Sequence, residues 1–304
     1  MDSMAMIVVC VLVGLWLFAF GACVGSFLNV VIYRVPAGMS IVWPPSACPR
    51  CGTSIRSIDN IPLFSWLLLG GNCRACSTPI SLRYPGMELL IGLGAAAIGC
   101  SEVIYLGRTL PTTTPLVPSG LSPIDEMTAI LWGIAAFHFL LWLTLVAAAF
   151  IEYDGESVPW TLFLPLFLAG GTAPFLWPQL HPLPYQSICL APSAASSGME
   201  IVRNPAADLL CGLAGGLAIG IVLSFIVGLA TPAGRWPAIA ASAAVGLVLG
   251  WQGALMLGIG ATILWPMLAW IARRWGGTMP WTGALATTLI PFLLAWKSLA
   301  SWCP

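Results

Sequence analysis

Four cysteines pose the first chemical question. Cys48-Pro-Arg-Cys51 and Cys73-Arg-Ala-Cys76 are two Cys-x-x-Cys turns separated by residues 52–72 on one polar stretch. Each turn offers two sulfurs from one tight bend, so the pair can close a tetrahedral zinc shell of four thiolates. Two disulfides or four free thiols are the alternatives, and the compartment decides between them. Acidic side chains pose the second question. A long apolar run ends in Ile151-Glu-Tyr-Asp-Gly-Glu156. Carboxylates in or at the rim of a bilayer are costly, so Glu152 and Asp154 are candidates for function, set against the plainer reading of a solvated loop. Asp208 follows Asn204-Pro205 and reads as part of a helix start, with Asn204 as cap and Asp208 complementing the positive end. His138 lies inside an apolar run and reads as a buried histidine bonded to a neighbouring helix. Glu88 and Glu102 flank another run. Cys10, Cys23, Cys100, Cys189, Cys211 and Cys303 show no ligand spacing and read as small apolar side chains. His181 has no visible partner.

The segments that must position these residues need a membrane. The chain of 304 residues is 59% hydrophobic and 7% charged, a composition of polytopic membrane proteins and not of water-soluble domains. Eleven basic residues balance eleven acidic ones, which argues against a nucleic-acid partner. Ala5 to Tyr33 carries no charge, exceeds a signal-peptide core and lacks a cleavage site, so it reads as a retained transmembrane helix. Further apolar segments fall at 86–107, 127–151, 160–177, 206–230, 236–249, 251–272 and 279–299. The expected fold is therefore an all-α polytopic membrane protein of about eight transmembrane helices. It divides into a first helix at 1–34, a four-cysteine zinc loop at 35–85 and a helical membrane domain at 86–304.

With an outside N-terminus, Arg34, Arg50, Arg56, Arg74, Arg83, Arg235, Arg273 and Arg274 share one side, against Arg108, Arg203 and Lys297. The positive-inside rule then makes the cysteine loop cytoplasmic, where thiols stay reduced and zinc is favoured over disulfides. The external connections 108–126 and 178–205 read as loops. Gly212, Gly216 and Gly220, with Gly246 and Gly250, form close helix-packing stripes. Trp43, Trp66, Trp160, Trp177, Trp236 and Trp251 lie near segment ends and read as an interfacial belt.

One stretch carries a resemblance. Gly25-Ser-Phe-Leu-Asn-Val-Val-Ile-Tyr-Arg-Val-Pro36, the two cysteine turns, Asn60-Ile-Pro-Leu-Phe-Ser-Trp66 and Ile80-Ser-Leu-Arg-Tyr-Pro85 resemble, in order and spacing, the N-terminal half of the prepilin leader peptidase/N-methyltransferase family. The resemblance implies eight spans in the bacterial inner membrane. It implies a type IV pilin-like or type II secretion pseudopilin precursor as substrate, leader cleavage by an aspartic-type peptidase, and N-methylation with S-adenosylmethionine. No nucleotide-binding fingerprint is recognisable, so that cofactor rests on the resemblance alone. Glu88 belongs to the family's Arg-Tyr-Pro-x-x-Glu-Leu-Leu pattern and is expected to pair with an arginine such as Arg83.

The resemblance weakens at the catalytic acids. Family members carry an aspartate seven residues before a proline at the end of the third helix. Here Glu152 to Pro159 keeps that spacing with a glutamate, and Asp154 matches a second, frequent acid. One added methylene moves the carboxylate by about an ångström, a misplacement that can cost on the order of a hundredfold in rate. The family's partner aspartate, in Gly-x-Gly-Asp on the sixth helix, should fall near Ala238, yet no Asp or Glu follows Asp208. Hydrolysis needs one carboxylate to take a proton from water and another, protonated, to polarise the carbonyl. The resemblance thus implies either a peptidase and methyltransferase, or a relative that methylates or binds pilin-like chains without cleaving them.

Overall fold

The computed structural model describes residues 3–107, 109–111, 123–176, 204–227, 235–274 and 277–300. Its long elements are all helices: α1 (Ser3–Arg34), α2 (Phe64–Leu68), α3 (Arg83–Gly99), α4 (Pro123–Tyr153), α5 (Leu164–Leu176), α6 (Pro205–Val227), α7 (Trp236–Arg274) and α8 (Trp281–Ala300). The only strand-like pairings among the described residues are the bridges Ala47–Ser54 and Asn72–Pro79. The chain is a multi-pass membrane protein. Among the described residues six helices are long and apolar enough to cross a bilayer, and Trp160–Phe175 is apolar but shorter.

The expected eight segments are all present, but they are not eight separate long helices. Segments six and seven are one element of 39 residues, α7, broken where Gly250 adopts φ 76°, ψ 171°. Only glycine takes that conformation without penalty, so the backbone turns there and helix resumes at once. The fourth segment is the short α5 with its 3₁₀ lead-in Trp160–Leu162. Most of the two external connections, with His181, Cys189, Cys303, Trp177, Arg108 and Arg203, lies outside the described residues.

Contacts divide the chain into two compact units, Met1–Cys100 and Ser101–Pro304. In the first, α1 and α3 approach through small residues. A Cβ on Gly21 would sit 2.5 Å from the Ala95 Cβ, and one on Gly25 would sit 2.9 Å from the Glu88 Cα. Close backbone approach of this kind is how membrane helices gain packing energy without a hydrophobic driving force. The rest of α1 exposes Leu12, Leu15, Trp16 and Phe20, a surface suited to lipid.

In the second unit α4 is the buried centre, with Leu131, Ile134, Leu141, Leu145, Ala148 and Ile151 sealed from solvent. The Trp142 indole donates to the Ala286 carbonyl at 3.0 Å and fixes α4 to α8. The glycine stripes do join helices: a Cβ on Gly212 or Gly246 would strike the backbone of the other residue, and one on Gly216 would strike Ser242. No larger side chain fits between α6 and α7 there.

Candidate metal centre and acidic side chains

The two cysteine turns fold alike because their sequences are alike: Cys-x-x-Cys-Gly52-Thr53 and Cys-x-x-Cys-Ser77-Thr78. In the first, the Cys48 amide donates to the Thr53 carbonyl and Gly52 donates to Cys48, each at 2.9 Å. In the second, Cys73 donates to Thr78 at 2.8 Å and Ser77 to Cys73 at 2.9 Å. Gly52 and Ser77 hold the matching left-handed position, with φ 69° and 56°. These amides force both sulfurs of each turn to one side. All four Sγ atoms lie within 4.8 Å of one another, and Cys48 and Cys76 are 3.8 Å apart. Four sulfurs at about 2.3 Å from one zinc stand about 3.8 Å from each other, whereas a disulfide closes to about 2.05 Å. The donor set fits a tetrahedral metal, and all four cysteines are free.

Hydroxyls sharpen the donor set. Thr78 and Thr53 lie 3.2 and 3.3 Å from the Cys76 and Cys51 sulfurs. Hydrogen bonding from the Thr78 side chain, then its backbone, lowers the Cys76 thiol to about 6, and Thr53 lowers Cys51 in the same way. Thiolates, not thiols, bind metal.

Three contacts tie the turns to the helices. The Trp66 indole donates to the Ile80 carbonyl at 3.1 Å and its ring covers Gly71. Trp66 is therefore a clamp on the second cysteine turn. Arg74 grips Asp59 in a fork, with Nη2 at 2.6 Å and Nε at 2.9 Å. Glu88 accepts from the Leu63 amide at 2.7 Å, so its partner is a backbone N–H in place of the expected arginine. Leu63 has φ 65°, ψ −52°, and the Phe64 amide donates to Pro62 at 2.7 Å. That is a γ-turn, which costs about 1–3 kcal/mol for a non-glycine residue and needs such an anchor.

The second candidate group sits where α4 stops. Gly155 (φ 78°) and Glu156 donate back to Glu152 and Ile151 at 3.0 and 3.1 Å, the Schellman arrangement that ends a helix at glycine. Glu152 lies on the last turn, half-buried, and the Thr282 hydroxyl donates to its carboxylate. Asp154 is exposed. It follows Glu152 by two residues, just past the end of α4 at Tyr153. Asp208 occupies the expected first turn of α6, capped by Asn204, whose side-chain oxygen accepts from Ala206 and Ala207 at 3.1 and 3.2 Å.

A third group escaped sequence reasoning as a pair. Glu102 and His138 are wholly buried, and Glu102 Oε1 lies 2.6 Å from His138 Nδ1. Glu102 reaches inward because the helix after Gly99 loosens into a π-turn over Cys100–Ile104, a distortion frequent at special sites. The Trp296 ring leans over the imidazole at 6.0 Å. The available signal was two ionisable residues in adjacent apolar segments; their register was not readable.

A family model described as the bacterial Peptidase A24 N-terminal domain matches residues 19–101. The prepilin leader peptidase/N-methyltransferase of Myxococcus xanthus is 42% identical over 159 residues, covering 52% of this chain and 39% of that protein. Its counterpart in Aeromonas hydrophila is 34% identical over 177 residues, covering 50% and 52%. The protein of that name in Dickeya chrysanthemi is 30% identical over 267 residues, covering 62% of this chain and 93% of its own length. The match thus spans about half or less of the first two relatives. No solved structure matches the chain.

Proposed function

This chain belongs to the prepilin leader peptidase/N-methyltransferase family, and we propose that it removes the leader of a type IV pilin-like or type II pseudopilin precursor and methylates the new N-terminus. The observation that carries this reading is the similarity that runs along 93% of the Dickeya protein of that name. The four-sulfur cluster supports it, since it falls inside the matched residues 19–101. In this reading Cys48, Cys51, Cys73 and Cys76 hold a structural zinc on loop 35–85, on the cytoplasmic side of the bacterial inner membrane. Zinc there supplies a staple between the two turns. S-adenosylmethionine is the methyl donor of the reading.

For cleavage, Glu152 takes the role of the carboxylate that draws a proton from water. Its position at a helix end, half-buried and oriented by Thr282, supports that role. Asp154 is the candidate for the second acid. A specific observation favours a second reading, methylation or binding without cleavage. The side chain bonded to Glu152 is a hydroxyl and not a carboxyl, and the chain has no acid beyond Asp208. Co-expression with a tagged pilin-like precursor separates the two. A shortened precursor on an immunoblot, lost in Glu152→Gln, supports cleavage; an unshortened precursor that a competent relative does process supports the second reading.

A further inference from the structure

We infer that residues 39–43 and α2, which flank the first cysteine turn, do not project into water but lie in the lipid headgroup boundary and dip into the bilayer, while the cysteine turns themselves stay on the water side. The chain reverses immediately after α1. The Met39 amide donates to the Arg34 carbonyl at 2.9 Å, and the Arg34 guanidinium donates to the Ser40 carbonyl at 3.0 Å. The returning segment then runs back along α1. Ile41, Val42 and Pro44 line one cleft of about 390 Å³ with Cys23, Phe27 and Val30. Cys23 stands eleven residues before Arg34, which is about 16 Å of helix, and the whole of Ile7–Arg34 is membrane-spanning in length and apolarity. The loop is therefore held beside a stretch of α1 that is itself in lipid.

At that depth its outward side chains are apolar. Val42 is 81% exposed and Trp43 73%. The second segment is fixed at the same level. Leu63 hangs from Glu88, whose Cα would lie 2.9 Å from a Cβ on Gly25 of α1. From that anchor α2 presents Phe64, Leu67 and Leu68, with exposures of 66%, 66% and 78%. A five-residue helix facing water would not carry three such residues on its open side; at an apolar–polar boundary the same side chains are stabilising. The occupant is lipid because Ile41, Val42 and Pro62, just before α2, line one cleft with Phe27, itself half exposed on membrane-spanning α1. Charge agrees: between residues 34 and 88 the five arginines Arg34, Arg50, Arg56, Arg74 and Arg83 outnumber Asp59 and Glu88, and basic surfaces beside a span attract anionic headgroups.

The test uses the full chain in nanodiscs containing phosphatidylglycerol. p-Benzoylphenylalanine is placed, in separate variants, at Trp43 and Leu67, with Phe20 on the exposed face of α1 as the lipid control and Thr53 in the first cysteine turn as the water control. After irradiation, peptide mass spectrometry should find lipid adducts at 43 and 67 at yields near those at 20 and about tenfold above those at 53. Yields at 43 and 67 as low as at 53 would overturn the inference. So would adducts to a second copy of the chain, or lipid adducts displaced by an added pilin-like precursor, since either makes the face a protein-docking surface. A variant that folds poorly is replaced by a conservative one: in Trp43→Phe, brominated lipid should quench a smaller share of the fluorescence than in the parent, because a quenchable tryptophan has been removed. An unquenched Trp43 contribution would equally refute it.

Discussion

Removing both members of the Glu102–His138 pair should cost little more than removing either one. Each side chain is fully buried, and each has a second polar atom, Glu102 Oε2 and His138 Nε2, with no partner among the described residues. In Glu102→Leu the imidazole loses its 2.6 Å contact and keeps its desolvation cost. Breaking a buried pair costs about 3–5 kcal/mol in water-soluble proteins. In membranes the unfolded helices also find partners, and measured couplings fall to about 0.6–1.7 kcal/mol. The seal around this pair argues for the upper part of that range, so each single leucine variant should lose on the order of 2 kcal/mol. Glu102→Leu/His138→Leu should then lose about 2.5 kcal/mol, well short of the additive value of about 4, which is a coupling of about 1.5 kcal/mol. The assay is unfolding in mixed micelles titrated with dodecyl sulfate, followed by circular dichroism. Single variants within about 0.3 kcal/mol of the parent, or a double variant whose loss equals the sum of the singles, would refute the reasoning.

The other expectations are simpler. Purified protein should carry one zinc per chain by metal analysis, and Cys73→Ser should carry almost none while proteolysis within residues 35–82 accelerates; a zinc-free protein with four reduced loop cysteines would contradict the fit. In chelator-treated protein, Cys76 should alkylate with a half-maximal rate near pH 6. Its thiolate is favoured above that pH and lost below it, and Thr78→Val should move the midpoint upward by removing the hydroxyl donor; an unchanged midpoint would show that Thr78 is not the cause. Gly246→Leu should separate α6 from α7 and cost about 1–3 kcal/mol or more in the same micelle titration, because the clash is with backbone; tolerance of leucine there would contradict the close crossing.

Legibility in the sequence followed the range of the interaction. The four-sulfur cluster was readable because each turn is local and the repeat Cys-x-x-Cys-small-Thr builds both halves alike. The helix-packing glycines and the break at Gly250 were readable because glycine spacing reports directly on backbone approach. Asn204 and Asp208 behaved as a helix start for the same local reason. What stayed hidden depended on partners far along the chain. The Glu102–His138 contact required the π-turn at Cys100–Ile104, which shifts the register that ordinary helical periodicity assigns. The partner of Glu88 proved to be a backbone amide in a γ-turn, and no side-chain pairing rule points to one. The place of Trp66 near a segment end gave no sign that its indole would reach the Ile80 carbonyl. At Glu152, the sequence could name a carboxylate and note the missing acid, but not that Thr282 would sit beside it.

The most direct test of the proposed function is mass spectrometry of a pilin-like precursor incubated with the detergent-purified full chain, with and without S-adenosylmethionine. The account predicts a product lacking its leader in both incubations, and heavier by one methyl group, about 14 Da, only when the methyl donor is present. An intact, unmethylated precursor, under conditions in which a competent relative processes the same sample, would contradict it.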